Sequence, residues 1–260
     1  MRKKKRFEKE KLRKGIYILP NIFTSLNLFC GFYSIVSSIN GNYTAAAWSI
    51  LIAGIFDLLD GKIARATNTT SKFGVEYDSL SDLISFGLAP GLMIYLWALK
   101  PMDILGRTAW LAAFLFMACG ALRLARFNTH AGTASSEYFT GLPIPSAAGM
   151  NAAIVLICTR LSIGGHALNM AVLVMLYVLS FLMVSTVKYN SFKKAELFKK
   201  MNFNLLVVVI LVIIFVAAEP EIALFSIGIT YLLSGPVTTL RLHARKNTEK
   251  PEPSTSENNV

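Results

Sequence analysis

Apolar runs of about 20 residues recur along this chain and fix what it can become. They fall at 20–39, 44–62, 75–99, 108–127, 144–161, 167–187, 203–218 and 221–240. Each is close to the ~20 residues a helix needs to cross a bilayer core. In lipid the backbone must satisfy its own hydrogen bonds, so an apolar run of this length reads as a spanning helix. The first four runs and the sixth are full-length; the fifth is short, and only Glu219-Pro220-Glu221 divides the last two. The chain is 54% hydrophobic and 16% charged, whereas soluble domains carry about a quarter charged residues. The expected fold is therefore an all-α integral membrane bundle of about eight helices.

Charge placement orients that bundle. With both termini in the cytoplasm, the inner segments are 1–19, 62–73, 123–142, 188–202 and 241–260. Of the 26 Lys and Arg, only Lys100, Arg107 and Arg160 fall elsewhere. That asymmetry is the positive-inside pattern, and the inverted topology violates it. The net charge of +11 thus reflects topology, and no nucleic-acid partner is expected. The head MRKKKRFEKEKLRKG (1–15) either sets orientation alone or rests on anionic lipid, each Lys or Arg then contributing about 1 kcal/mol. A cleaved leader is not expected, because the first run is too long and lacks an A-x-A-like exit.

Cys30, Cys119 and Cys158 lie within predicted helices without paired spacing and read as packing residues. His130, His166 and His243 show no ligand spacing. The expected organisation is a basic segment at 1–19, a core at 20–187, a basic loop at 188–202, two further helices at 203–240 and a disordered polar tail at 241–260. The loop sequence KYNSFKKAELFKK (188–200) reads as an inner basic loop.

One stretch conflicts with this apolar character. FDLLDGKIARATNTTSKFGVEYDSLSD (56–82) sets Asp57, Asp60, Asp78 and Asp82 between two apolar runs. Asp57 and Asp60 are three apart at the inner end of the second helix; Asp78 and Asp82 are four apart at the start of the third. Each spacing puts its pair on one helical face. A turn within the polar GKIARATNTTSKFG (61–74) would bring the faces together. Four carboxylates converging in a low dielectric repel strongly unless cations compensate. With no His or Cys nearby, the donor set suits hard cations, Mg²⁺ or Mn²⁺, with Ca²⁺ as another occupant. Mg²⁺ commonly joins carboxylates to substrate phosphates, and Lys62 and Arg65 offer phosphate partners beside Gly61. Phosphoryl transfer at a membrane surface follows. Loop or helix-capping roles would explain one such acid, Asp78 for instance, but poorly explain four at paired spacings.

The pattern Asp57-x-x-Asp60-Gly61-x-x-Ala64-Arg65, eight residues, Gly74-x-x-x-Asp78-x-x-x-Asp82 resembles the CDP-alcohol phosphotransferase signature at every fixed position. The resemblance implies attack by an alcohol hydroxyl on the lipid-side phosphorus of a CDP-linked lipid, with release of CMP. It implies ligation of one or two divalent metals by Asp57, Asp60 and Asp78, with Asp82 as a further metal ligand and the general base. Gly61, Ala64, Arg65 and Gly74 would shape the nucleotide and pyrophosphate pocket, with Asp57. Homodimerisation is likewise implied, as is a multi-pass location in the inner (cytoplasmic) membrane with the site facing the cytoplasm.

Three further stretches are similar to the serine-accepting branch of that family: LPNIFTSLNLFCGF (19–32), GALRLARFN (120–128) and YFTGLPIPSAAG (138–149). The implied substrates are CDP-diacylglycerol and L-serine; the archaeal branch acting on ether lipids shares these stretches. Arg123 and Arg126, three apart on one face, offer forked donors to a serine carboxylate or a lipid phosphate, or else anchor the inner edge. Asn21 and Thr24 would contact cytidine or a phosphate. Gly141, Pro143 and Pro145 read as a rigid re-entry into the fifth helix. Acceptors such as glycerol phosphate or inositol phosphate would want a denser basic cluster. A cation-coupled transporter would place its acids near the midplane of related repeats, whereas these sit at one edge in one hairpin.

Overall fold

A computed structural model describes residues 2–67, 69, 71–100, 106–130, 138–190 and 203–248. Every predicted apolar run lies on a helix. The helices are α1 (Arg2–Ile39), α2 (Tyr43–Ala66), α3 (Lys72–Leu99), α4 (Gly106–His130), α5 (Ile144–Arg160), α6 (Asn169–Val184), α7 (Phe203–Ala218) and α8 (Pro220–Thr248). Six segments within this set are long and apolar enough to cross a membrane. The other two, α5 and α7, have 17 and 16 residues. The chain is a polytopic helical membrane protein.

Asn40-Gly41-Asn42 turns α1 into α2. Gly41 takes φ +77°, which a side chain would disfavour, and Asn42 caps α2 by accepting from the Ala45 N–H at 3.2 Å. The second turn is shorter than expected. Helix α2 continues beyond the expected 44–62 through Ala66, so Ala64 and Arg65 are helical rather than part of a loop. Ser71 then caps α3, its Oγ accepting from the Gly74 N–H at 2.9 Å.

Helix α3 carries wide π-type turns at Leu83–Leu88 and Tyr95–Leu99. The first directly precedes Pro90, whose ring and missing N–H disturb the regular ladder. One stripe of α3 is stitched to α1. Ser25 and Tyr77 hydroxyls share a 2.9 Å hydrogen bond. Ser81 Oγ donates to the Thr24 carbonyl and Ser85 Oγ to the Asn27 carbonyl, each at 3.0 Å. Gly31 makes this approach possible, since a Cβ there would lie 2.3 Å from Ser85 Oγ.

Helix α5 is the most enclosed element, with Ala147, Ala148, Ala152, Ala153 and Val155 all buried. Small residues on several faces let neighbouring helices pack closely around it. Large apolar side chains on the outside, including Phe29, Phe32, Phe181, Leu211 and Leu240, are exposed, as lipid-facing residues must be.

A small antiparallel ribbon joins Tyr138–Thr140 (β1) to Lys188–Asn190 (β2), pairing Phe139 with Tyr189. Three-residue strands are too short for a readable alternation, so neither was expected. Gly141 follows at φ +80°; a Cβ there would meet the Met183 carbonyl at 2.4 Å. Pro143 and Pro145 then start α5, the rigid re-entry expected.

The ribbon also holds α8. Pro236 has no N–H for the Leu232 carbonyl four residues back, and Tyr189 Oη donates to that carbonyl at 3.3 Å. Its ring occupies the space a Cβ on Gly235 would need. Burial and the neighbouring Tyr231 push the Tyr189 phenol up to about 12, so it remains a neutral donor. Helix α8 runs to Thr248, so the first eight residues of the expected tail are helical. The rest of that tail, and most of the 188–202 loop, lie outside the described residues.

Candidate active site

The α1–α2–α3 arrangement gathers the signature acids. Carboxylate oxygens of Asp57, Asp60 and Asp78 lie within 4.8 Å of one another. Oxygens bound to one hard cation at about 2.0–2.6 Å are separated by no more than about 5 Å, so these three side chains fit a single ion. Among the described residues, no Lys or Arg makes a salt bridge to them. Asp78 Oδ1 is buried without a hydrogen-bond partner, an orphaned acceptor that a cation would satisfy.

Asp60 is held from α1: Thr24 Oγ1 donates to its Oδ2 at 2.9 Å. Asp82, one turn beyond Asp78, is buried and lies outside the group of three. Its Oδ1 accepts from Asn27 Nδ2 at 3.0 Å. It remains within electrostatic reach of Asp57, Asp78 and Arg123. Asn27 escaped the sequence reading, although Asn21, Thr24 and Asn27 repeat at every third position of an apolar helix. That polar stripe was the available signal.

The other signature residues surround the carboxylates differently. Gly74 sits where a Cβ would lie 3.1 Å from Ser71 Oγ and 3.6 Å from Asn21 Oδ1, so Asn21 borders the start of α3. Among the described residues, a Cβ on Gly61 would meet only Arg65 Nη2, at 3.6 Å, and Arg65 is exposed. The Ala64 carbonyl accepts from the Thr69 N–H at 3.0 Å and shapes the α2–α3 turn.

The two arginines of α4 diverge. Arg126 Nη1 donates to the Val184 carbonyl at 3.1 Å, at the end of α6. Arg123 lies within electrostatic reach of Asp82 and of Tyr231 of α8, and its Nε is buried and unpartnered. Asn128 Nδ2 donates to Ser79 Oγ at 2.9 Å, tying α4 to α3 beside the acids.

Residues 17–182 match the CDP-alcohol phosphatidyltransferase family. The chain belongs to that family. It is a transferase of the CDP-alcohol class, and its fold brings three of the signature acids, Asp57, Asp60 and Asp78, within 4.8 Å of one another. Among curated relatives, a CDP-diacylglycerol–serine O-phosphatidyltransferase of Helicobacter pylori strain 26695 is 37% identical over 231 residues, covering 87% of this chain and 93% of that protein. An archaetidylserine synthase of Methanothermobacter thermautotrophicus is 40% identical over 175 residues, covering 66% and 69%. A Saccharomyces cerevisiae CDP-diacylglycerol–serine O-phosphatidyltransferase is 38% identical over 143 residues, about half of each chain.

Proposed function

We propose that this enzyme transfers the phosphatidyl group of CDP-diacylglycerol to the hydroxyl of L-serine, releasing CMP. The observation that carries the acceptor reading is the buried Asp82, held by Asn27 one turn beyond Asp78 and within electrostatic reach of Arg123. Serine brings a hydroxyl and a carboxylate a few bonds apart, and needs one basic and one cationic partner side by side. The relatives' names support the same acceptor, the archaeal one included.

In this reading Arg123 binds the serine carboxylate and Asp82 accepts the hydroxyl proton as the oxygen attacks in line. A new P–O bond forms to serine while the P–O bond to CMP breaks, and CMP leaves with the bond's electrons. Asn27 orients the Asp82 carboxylate through its 3.0 Å hydrogen bond. Asp57, Asp60 and Asp78 would hold Mg²⁺ or Mn²⁺, which when bound neutralises pyrophosphate charge and stabilises the leaving group. The open space at Gly61 supports close approach of the nucleotide there, with Arg65, Asn21, Thr24, Ala64 and Gly74 around it. Serine hydroxyls are weak acids, so positioning and charge complementarity carry most of the rate.

The positive-inside bias supports a site facing the cytoplasm from the inner membrane, with both termini on that side. Homodimerisation is proposed on the family resemblance, and cross-linking in membranes tests it. The function is tested by CMP release from CDP-diacylglycerol with serine, glycerol phosphate or inositol phosphate as acceptor. Only serine should sustain turnover; release with either phosphate acceptor alone would overturn the reading.

A further inference from the structure

Asn27 uses one of its two amide atoms and leaves the other unpaired. Its Nδ2 donates to Asp82 Oδ1 at 3.0 Å, while its Oδ1 is buried without a hydrogen-bond partner. The residue is fully enclosed, and α1 is pinned to α3 around it. Ser81 Oγ donates to the Thr24 carbonyl and Ser85 Oγ to the Asn27 carbonyl itself, each at 3.0 Å. Gly31, one turn further along α1, keeps the two helices close. Turning the amide over would set its oxygen against the ionised Asp82, acceptor against acceptor. The unpaired oxygen is therefore fixed in place beside the carboxylate. A buried acceptor without a partner is costly, and native structures seldom leave one unexplained.

We propose that Asn27 Oδ1 receives the ammonium group of the acceptor, which makes Asn27 a specificity-determining residue for amino alcohols. This rests on the serine reading and deepens it: there the hydroxyl meets Asp82 and the carboxylate meets Arg123, but the ammonium has no partner. In serine the hydroxyl and the ammonium stand on adjacent carbons. Here the base and the unpaired oxygen stand on two side chains joined by one hydrogen bond, so one small molecule spans both. An ammonium offers donors only, and an amide oxygen is an acceptor that carries no charge and takes up no proton at neutral pH. A carboxylate in its place would add like-charge repulsion to the four acids already gathered. Rejection follows from the same atom. An acceptor that lacks an amino group, such as glycerol phosphate or inositol phosphate, leaves the oxygen unpaired in a closed site and is penalised for it.

The test compares serine with 3-hydroxypropionate, which is serine without its amino group. Incorporation of labelled serine into lipid by the full-length, detergent-solubilised protein gives the serine KM, and its inhibition gives the Ki of 3-hydroxypropionate. In the wild-type protein that Ki should exceed the serine KM about 10- to 100-fold, as for one hydrogen bond to a charged group. Asn27→Leu should raise the serine KM by about the same factor and leave the Ki within about twofold, so the preference collapses. Asn27→Ser is the smaller change that makes the same comparison if Asn27→Leu does not fold. For a variant too slow to assay, thermal shifts induced by each compound replace KM and Ki. A residue that only holds Asp82 would slow turnover and leave the preference intact, so the ratio separates the two roles. If wild-type CMP release does not depend on serine, the acceptor reading fails and takes this inference with it. If release is serine-dependent but 3-hydroxypropionate binds the wild-type protein as well as serine does, the inference alone fails. It fails equally if the Asn27 variants keep the wild-type ratio, which leaves Oδ1 to an ordered water.

Discussion

Thr24 Oγ1 on α1 donates to Asp60 Oδ2 on α2 at 2.9 Å, fixing the most buried of the three clustered carboxylates from a neighbouring helix. Thr24→Val keeps the shape and removes the donor. Groups that orient metal ligands typically contribute 10–100-fold in affinity. The Mn²⁺ concentration giving half-maximal CMP release should rise by about that factor. An unchanged Mn²⁺ dependence would mean this hydrogen bond does not orient a ligand.

Metal removal should have two effects. Excess EDTA should abolish turnover, with Mg²⁺ or Mn²⁺ restoring it. Chelation should also lower the Tm, because Asp57, Asp60 and Asp78 crowd within 4.8 Å and repel without a cation. Full activity in EDTA refutes the metal reading.

Asp82 and Asp78 should separate by role. Asp82→Asn should slow turnover about 10²–10⁴-fold, as for loss of a general base, with CDP-diacylglycerol binding retained. Asp78→Asn should weaken nucleotide binding as well as turnover. Nucleotide affinity and turnover measured side by side decide it: near wild-type turnover in Asp82→Asn excludes it as the base.

Arg123→Ala and Arg126→Ala should now part company in a stated direction. Arg123→Ala should raise the serine KM strongly, since losing a buried charged hydrogen bond costs about 2–5 kcal/mol. Arg126 holds the Val184 carbonyl, so Arg126→Ala should lower the Tm and leave the serine KM within about twofold. Steady-state kinetics beside thermal melts test the pair, and equal serine KM values would displace the acceptor site from Arg123.

Topology reporters give an independent check. Arg160, at the end of α5, makes salt bridges with Glu219 between α7 and α8 and with Glu221 in the first turn of α8, placing those ends together. Reporters after residue 245 and within 188–202 should read cytoplasmic, and one near Met102 should read external. An external signal at 188–202 would overturn the expected order of eight spans.

Helix positions and the four acids were legible in the sequence, because both depend on short-range rules. A bilayer demands about 20 apolar residues per span, and a helix puts residues three or four apart on one face. Asp57 with Asp60, and Asp78 with Asp82, therefore declared themselves as pairs, and one short turn between their helices sufficed to join them. The partners of those acids were not legible in the same way. Asn27 reaches Asp82 across 55 residues of chain, and Arg123 of α4 lies within electrostatic reach of the same Asp82. Nor could spacing alone divide Arg123 from Arg126, which look alike on one face of α4. Tertiary packing decided both: Gly31, Gly228 and Gly235 set how closely α1, α3, α5 and α8 approach. Those distances, rather than any local pattern, determine which polar atoms meet inside the bundle.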